Sequence, residues 1–596
     1  MTHDRIPKGI EFLFKESLPE HCFIPEDLTD EHRMIRKTSR DFAHKEVIPR
    51  LDRIDAKDET LIIDLLHQAG ELGLLAIDVP EAFGGLGLDK ISSVVVAEEL
   101  GSTGTFSVIL GGATGIGSLP IVFFGNDEQK DKYLPDLASG AAIGAFALTE
   151  SGAGSDAIGG CRTKAVLSAE GTHYVLNGEK VFITNAGWAD SFIVFANLEG
   201  SGFSAFIVER SLSGVQTGAE EVKMGIKGSS TTTVVLEDVR VPVDNLLHEP
   251  GKGHVVALNV LNIGRFKLGA SAIGACKIAL KSAVGYAKSR VQFKVPISDF
   301  GAIREKLARM ATRLYMGESA VYRAAGLIDA SLETMDTSVD NYAKATAAAI
   351  REYVVECAIN KVYCTEALDF IVDECVQIHG GYGYVAEYPA DRYYRDARIN
   401  RIFEGTNEIN RLLIAGDTLK RAAAEKLPLI DRVEQILEKI GASSFPEAFS
   451  ESDPLGLQER WIWGCKELIR LTASAAVEKL GRQTAEDQEL LTRLADMIIE
   501  TFVMESGLLR ARKVLDRLGV EKARFYVHMV QSYVDEQIPG MAARSKEALA
   551  YLESGEKLSA LLKGMDGLLD HPPVNGINIR RDIASVVVEK EGYPLD

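Results

Sequence analysis

The stretch Arg401-Ile402-Phe403-Glu404-Gly405-Thr406-Asn407-Glu408 sets one carboxylate between an apolar run and a Gly-Thr pair. A carboxylate in apolar surroundings has its pKa lifted from about 4.3 toward neutrality and becomes a competent base. The same pattern also suits a carboxylate that caps the start of a helix, so its neighbours decide the reading. Upstream stands Gln377-Ile378-His379-Gly380-Gly381-Tyr382-Gly383-Tyr384, whose glycines let a ligand approach the backbone closely. Farther upstream are Phe146-Ala147-Leu148-Thr149-Glu150-Ser151-Gly152-Ala153-Gly154-Ser155-Asp156 and Val181-Phe182-Ile183-Thr184-Asn185. The glycines at 152 and 154 do not make a dinucleotide fingerprint, because the run continues into strand-like sequence instead of opening a helix.

Length and charge narrow the field. A chain of 596 residues exceeds one hydrophobic core and implies three or four packed units. A formal charge of -20 argues against nucleic acid, whose binding rests on Lys and Arg neutralising phosphates. Seven scattered cysteines with no metal-ligand spacing read as buried thiols in a reducing compartment, and no metal is expected. The charged N-terminus lacks the apolar core of a secretory signal, and its acidic residues do not suit a mitochondrial presequence, so the cytoplasm is expected. The uncharged stretch 101–126 is long enough to cross a membrane, but its glycines and Pro120 favour a buried helix lining something narrow.

Periodicity implies an α+β chain. Residues 25–145 alternate helical patterns with Gly and Pro breaks, an all-helical unit. Residues 146–250 switch to period two with an Asn177-Gly178 turn signal, a compact antiparallel β unit. Long helical runs over 255–288, 300–331, 338–379 and 408–426 suggest a four-helix bundle spanning 251–425. A break at 440–446 lies within the last unit, 426–596, which is helical again, with amphipathic runs at 490–499 and 506–518.

In their order and spacing the four quoted segments resemble the acyl-CoA dehydrogenases over residues from about 30 to about 415. These are FAD enzymes that introduce a double bond between the α and β carbons of an acyl-CoA. The tail beyond the bundle resembles that of the very-long-chain subgroup and similar bacterial enzymes of fatty-acid β-oxidation. The resemblance implies Glu404 as the base, with the β hydride passing to flavin N5. It implies that Phe146, Leu148, Thr149, Phe182, Ile183 and Thr184 lie along the flavin, and that Gly405, Thr406 and Glu408 contact the cofactor. It places Arg290 and Phe293, with Gln377, Ile378, Gly380 and Gly381, on the FAD diphosphate across a subunit interface; Lys294 stands where the family has Gly.

For substrate, the resemblance implies Ser155 near the start of the CoA arm and Asn262 and Arg265 along it, while Gly111 and Gly112 line the far end of the acyl slot. Gly264 fills the position from which some relatives supply their base, which leaves that role to Glu404. Small residues at 111 and 112 favour long chains, since each buried methylene is worth about 0.8 kcal/mol. An electron-transfer flavoprotein is the implied acceptor and a homodimer the favoured assembly. Stable membrane binding is not expected, since the stretch 473–496 mixes Lys479, Arg482 and Arg493 with Glu478, Glu486, Asp487 and Glu489 and presents no basic face. Rival readings are an acyl-CoA oxidase using dioxygen and a scaffold that keeps the fold.

Overall fold

The computed structural model describes residues 6–338, 341–442, 453–570 and 572–595. Four helices lead the N-terminal unit: Asp30–Phe42, Glu59–Glu71, Lys90–Gly101 and Asp127–Ser139. Each begins at a short polar side chain, Thr29, Asp58, Asp89 or Asn126, that accepts a backbone N–H of the first turn. Between them Thr105–Gly111, a wide turn at Gly112–Gly117 and Leu119–Phe124 form the apolar stretch that raised the membrane question. It is 78% buried within the fold, which makes it a core element.

The middle unit is an eight-stranded sheet, and it is mixed, not purely antiparallel as expected. Gly144–Ala147 and Lys164–Leu167 both run parallel to Ser191–Leu198, while the remaining pairings are antiparallel. The Asn-Gly signal also resolves differently. His173–Thr184 is one continuous strand with a register shift between Leu176 and Gly178, not a hairpin. A β-carbon at Gly178 would lie 2.4 Å from Thr163 Oγ1, and Asn177 accepts from Asp238 N–H at 2.8 Å. The pair makes a bulge, where a missing side chain lets two strands close up.

Four helices, Gly253–Ser289, Gly301–Glu333, Val354–His379 and Asn407–Glu425, form the expected bundle. The run expected from 338 splits into Tyr342–Glu352 and Val354–His379, with the Tyr353 hydroxyl at the joint donating to Pro7 O at 2.7 Å. The break expected at 440–446 falls largely outside the described residues. The two amphipathic runs of the tail belong to one helix, Gln488–Leu518, which packs on Gly301–Glu333 and Asn407–Glu425. Arg510 anchors it: fully buried, it donates to Glu26 at 2.6 Å and Glu318 at 2.7 Å, with its guanidinium over the rings of Tyr315 and Tyr526. All seven cysteines are buried and unpaired.

Candidate active site

The helical N-terminal unit, the sheet and the bundle enclose a cavity of about 180 Å³. Its lining draws on Val96, Gly111, Gly112, Thr184, Gly264, Leu368 and Phe403, and Glu404 closes one side. The chain turns sharply there. Glu404 and Gly405 both adopt left-handed backbone, φ 57° and 78°, just before the helix that Thr406 caps through Ile409 N–H at 3.2 Å. Left-handed backbone is costly for a residue with a β-carbon and persists only where surroundings fix it. Here Lys361 Nζ donates to Gly405 O at 2.8 Å and Asn407 Oδ1 at 2.6 Å, Asn410 donates to Gly405 O at 2.8 Å, and Arg265 Nε donates to Glu404 O at 3.3 Å.

The carboxylate is thereby held half-buried at the cavity wall. Glu404 Oε2 is buried with no hydrogen-bond partner among the described residues. Burial lifts its pKa from the ordinary 4.5 to about 7, against the pull of Arg265 and Lys361. Lys361, itself buried, is pushed down to about 8. Its position as the one charge in Ala358-Ile359-Asn360-Lys361-Val362 was the available sequence signal for this missed residue.

Other expected residues divide sharply. Thr184 lines the cavity and Phe182 is 64% exposed with φ 58°, whereas Ile183 is 2% exposed and points into the core. Val181 N–H donates to Thr149 O at 2.9 Å, so the 146–149 and 181–184 segments lie side by side. The side chains of Phe146 and Leu148 are nonetheless buried, Phe146 edge-on to Phe195, and of these segments' expected contacts only backbone, Thr149, Phe182 and Thr184 remain open to a ligand. Ser155 sits exposed on the loop. Asn262 and Arg265, expected along the substrate arm, are buried and bonded to each other at 2.8 Å behind Glu404. Thr406 spends its hydroxyl on the helix cap, and Glu408 is exposed on the first turn.

A second cavity, of about 470 Å³, gathers Arg290, Ile378, Gly380 and Gly381. Arg290 stacks over Tyr382, Phe293 is 88% exposed, and Gln377 is exposed beside them. His379 is buried, 2.7 Å from Cys375 O through Nδ1 and stacked on Tyr286, a packing role. This lining shares no residue with that of the Glu404 cavity. One chain thus carries two separate groups of the residues expected at a single cofactor.

Comparison with known proteins supplies the family. The acyl-CoA dehydrogenase N-terminal domain matches residues 29–141, the middle domain 145–239 and the C-terminal domain 251–419, and a further acyl-CoA dehydrogenase C-terminal domain matches 464–566. A probable acyl-CoA dehydrogenase of Bacillus subtilis is 46% identical over 99% of both chains. The very long-chain specific mitochondrial enzyme of Rattus norvegicus is 36% identical over 86% of this chain and 79% of its own. Among solved structures, an acyl-CoA dehydrogenase complexed with FAD from Bacillus anthracis superposes with a TM-score of 0.96 at 47% identity, covering 98% of this chain and 100% of that one. The chain belongs to the acyl-CoA dehydrogenase family, flavoprotein oxidoreductases that work with FAD.

Proposed function

We propose that this chain dehydrogenates a saturated long-chain acyl-CoA to the trans-2-enoyl-CoA, as a step of fatty-acid β-oxidation, with Glu404 as the base. The observation that carries the reading is the Glu404 carboxylate, unpartnered at Oε2 and poised at about 7 where a cavity ends. A base with its pKa near the working pH combines a useful ionised fraction with adequate proton affinity.

The residues fit FAD. The exposed Phe182 and the cavity-lining Thr184 offer a surface for a flat ring, and β-carbons built at Gly380 and Gly381 would meet nothing within 4 Å, leaving room for a diphosphate beside Arg290. Bound FAD would supply the hydride acceptor. The remaining work falls to the chain. Glu404 takes the α proton, and its own backbone N–H, which donates to no backbone group among the described residues, is free to hold the thioester carbonyl. One such donor contributes about 3 kcal/mol to stabilising enolate charge. Arg265 and Lys361 hold the Glu404-Gly405 turn.

Long chains suit the cavity's shape. Its lining follows one face of the Gly253–Ser289 helix from Gly264 through Lys267, Ser271 and Ala275 to Ile278, about 21 Å along the axis. The second cavity supports a homodimer in which the Arg290 group of each protomer serves the FAD of its partner, and an electron-transfer flavoprotein is the proposed acceptor. Dye reduction by the yellow protein against a ladder of saturated acyl-CoAs tests the reading. Turnover peaking at long chains with no peroxide supports it; peroxide release without added acceptor makes the protein an oxidase, and inactivity on every chain length leaves a scaffold.

A further inference from the structure

The acyl cavity contains an ion cluster that the proposed chemistry does not use. Among the described residues of its lining Lys267 is the one cation, and its Nζ lies 2.6 Å from Asp78 Oδ2. The other Asp78 oxygen accepts from Ser93 Oγ at 2.8 Å and from Lys90 Nζ. Lys90 is buried behind the wall, where Asp329 accepts its backbone N–H at 2.8 Å. Together the two ammonium groups hold Asp78 well below the usual carboxylate range.

Lys90 meets Asp78 from behind the wall, and Lys267 adds a second ammonium from the cavity side. Burying an ammonium is costly unless its donors are used. An ammonium has three N–H donors, and one carboxylate oxygen, Asp78 Oδ2, lies beside that of Lys267. The Lys267 side chain remains 17% exposed in the cavity wall. It stands one helical turn beyond Gly264, and so beyond the carboxylate that removes the proton.

We propose that Lys267 forms a polar subsite inside the acyl cavity that accepts chains bearing an oxygen acceptor, a hydroxyl or a terminal carboxylate, some carbons past the β position. The inference rests on the reading of this cavity as the acyl site. Asp78 and Lys90 orient the ammonium, and the ligand's oxygen takes an N–H that a saturated chain leaves unused. A site built to hydrogen-bond a substrate oxygen discriminates strongly once the donor is removed.

The test compares kcat/KM of the flavinated enzyme for ω-hydroxy, ω-carboxy and plain acyl-CoAs of equal length, over a ladder of lengths. At one or more lengths the oxygenated substrate should match or exceed the plain one. Lys267→Met should lower that ratio at least tenfold, and Lys267→Arg should restore most of it. Loss confined to the ω-carboxy series identifies an anion subsite; loss in both identifies a hydroxyl subsite as well. A ratio that Lys267→Met leaves unchanged at every length overturns the inference while the acyl-CoA reading stands. Inactivity of the wild type on plain and oxygenated acyl-CoAs alike overturns both.

Discussion

A β-carbon built on Gly264 would lie 2.6 Å from Oε2 of Glu404 and 3.0 Å from its carboxyl carbon, so the proposed base rests directly on the backbone of a neighbouring helix. The atom it would strike is the end of a flexible side chain, which gives way cheaply. Gly264→Ala should therefore fold and retain FAD while displacing the carboxylate. Flavin bleaching by substrate should slow by roughly 10²-fold, the scale of an ångström-sized misplacement, with an unchanged melting temperature. Bleaching at the wild-type rate would show that the carboxylate works from another position.

Glu404→Gln should bind acyl-CoA yet leave the flavin yellow, because the amide keeps the shape and removes the base. In the wild type the bleaching rate should rise with pH through about 7, as Glu404 ionises. Stability moves the opposite way. A carboxyl whose pKa is raised by folding favours the folded state below its ordinary value and loses that contribution as pH climbs through about 7. The amide variant should consequently outlast the wild type on heating at pH above 7, and the gap should close toward pH 4.

Chain length is best tested at Gly111. A β-carbon there meets nothing within 4 Å, whereas at Gly112 it would press on Asn185 Nδ2 at 3.0 Å and Thr184 Cγ2 at 3.2 Å. Gly111→Leu should fill the slot without strain and shift the kcat/KM optimum toward shorter acyl chains, at about 0.8 kcal/mol for each methylene excluded. Gly112→Leu should instead disturb Thr184 and lower activity at all lengths. An unchanged profile in folded, yellow Gly111→Leu would place the end of the slot elsewhere.

Arg290→Ala should weaken FAD retention, since the group proposed to meet the diphosphate is lost. Absorbance at the flavin band after extensive dialysis measures this directly, and full retention would remove Arg290 from the cofactor site.

The C-terminal helices should be inseparable from the bundle. Arg510→Met takes the guanidinium from Glu26 and Glu318 and leaves Lys277 as the cation on Glu318, and breaking such a pair costs up to about 3–5 kcal/mol. A fall in thermal inactivation temperature measures it; an unchanged temperature would show that the helix Gln488–Leu518 docks on its apolar contacts alone.

The sequence by itself determined the order of helical and strand-rich units and the carboxylate that serves as candidate base. Those are local matters: helical and alternating periodicities follow from the backbone repeat, and the Glu-Gly-Thr run specifies a turn into a capped helix. The resemblance also set the Arg290 group across a subunit interface from the flavin segments, and Thr184 and Arg290 line different cavities. Tertiary structure decided the rest. Whether Asn177-Gly178 turns or bulges depends on the proximity of Thr163, just ahead of the strand Lys164–Leu167. Whether Ile183 or Phe182 meets solvent depends on a register shift between Lys180 and Ile183. Lys361, Arg265 and Gly264 reach Glu404 from residues remote in sequence, and Asp78 meets Lys267 across two units. Burial and long-range contact set the pKa of a carboxylate and the partners of an ammonium, and neither is encoded in the neighbours along the chain.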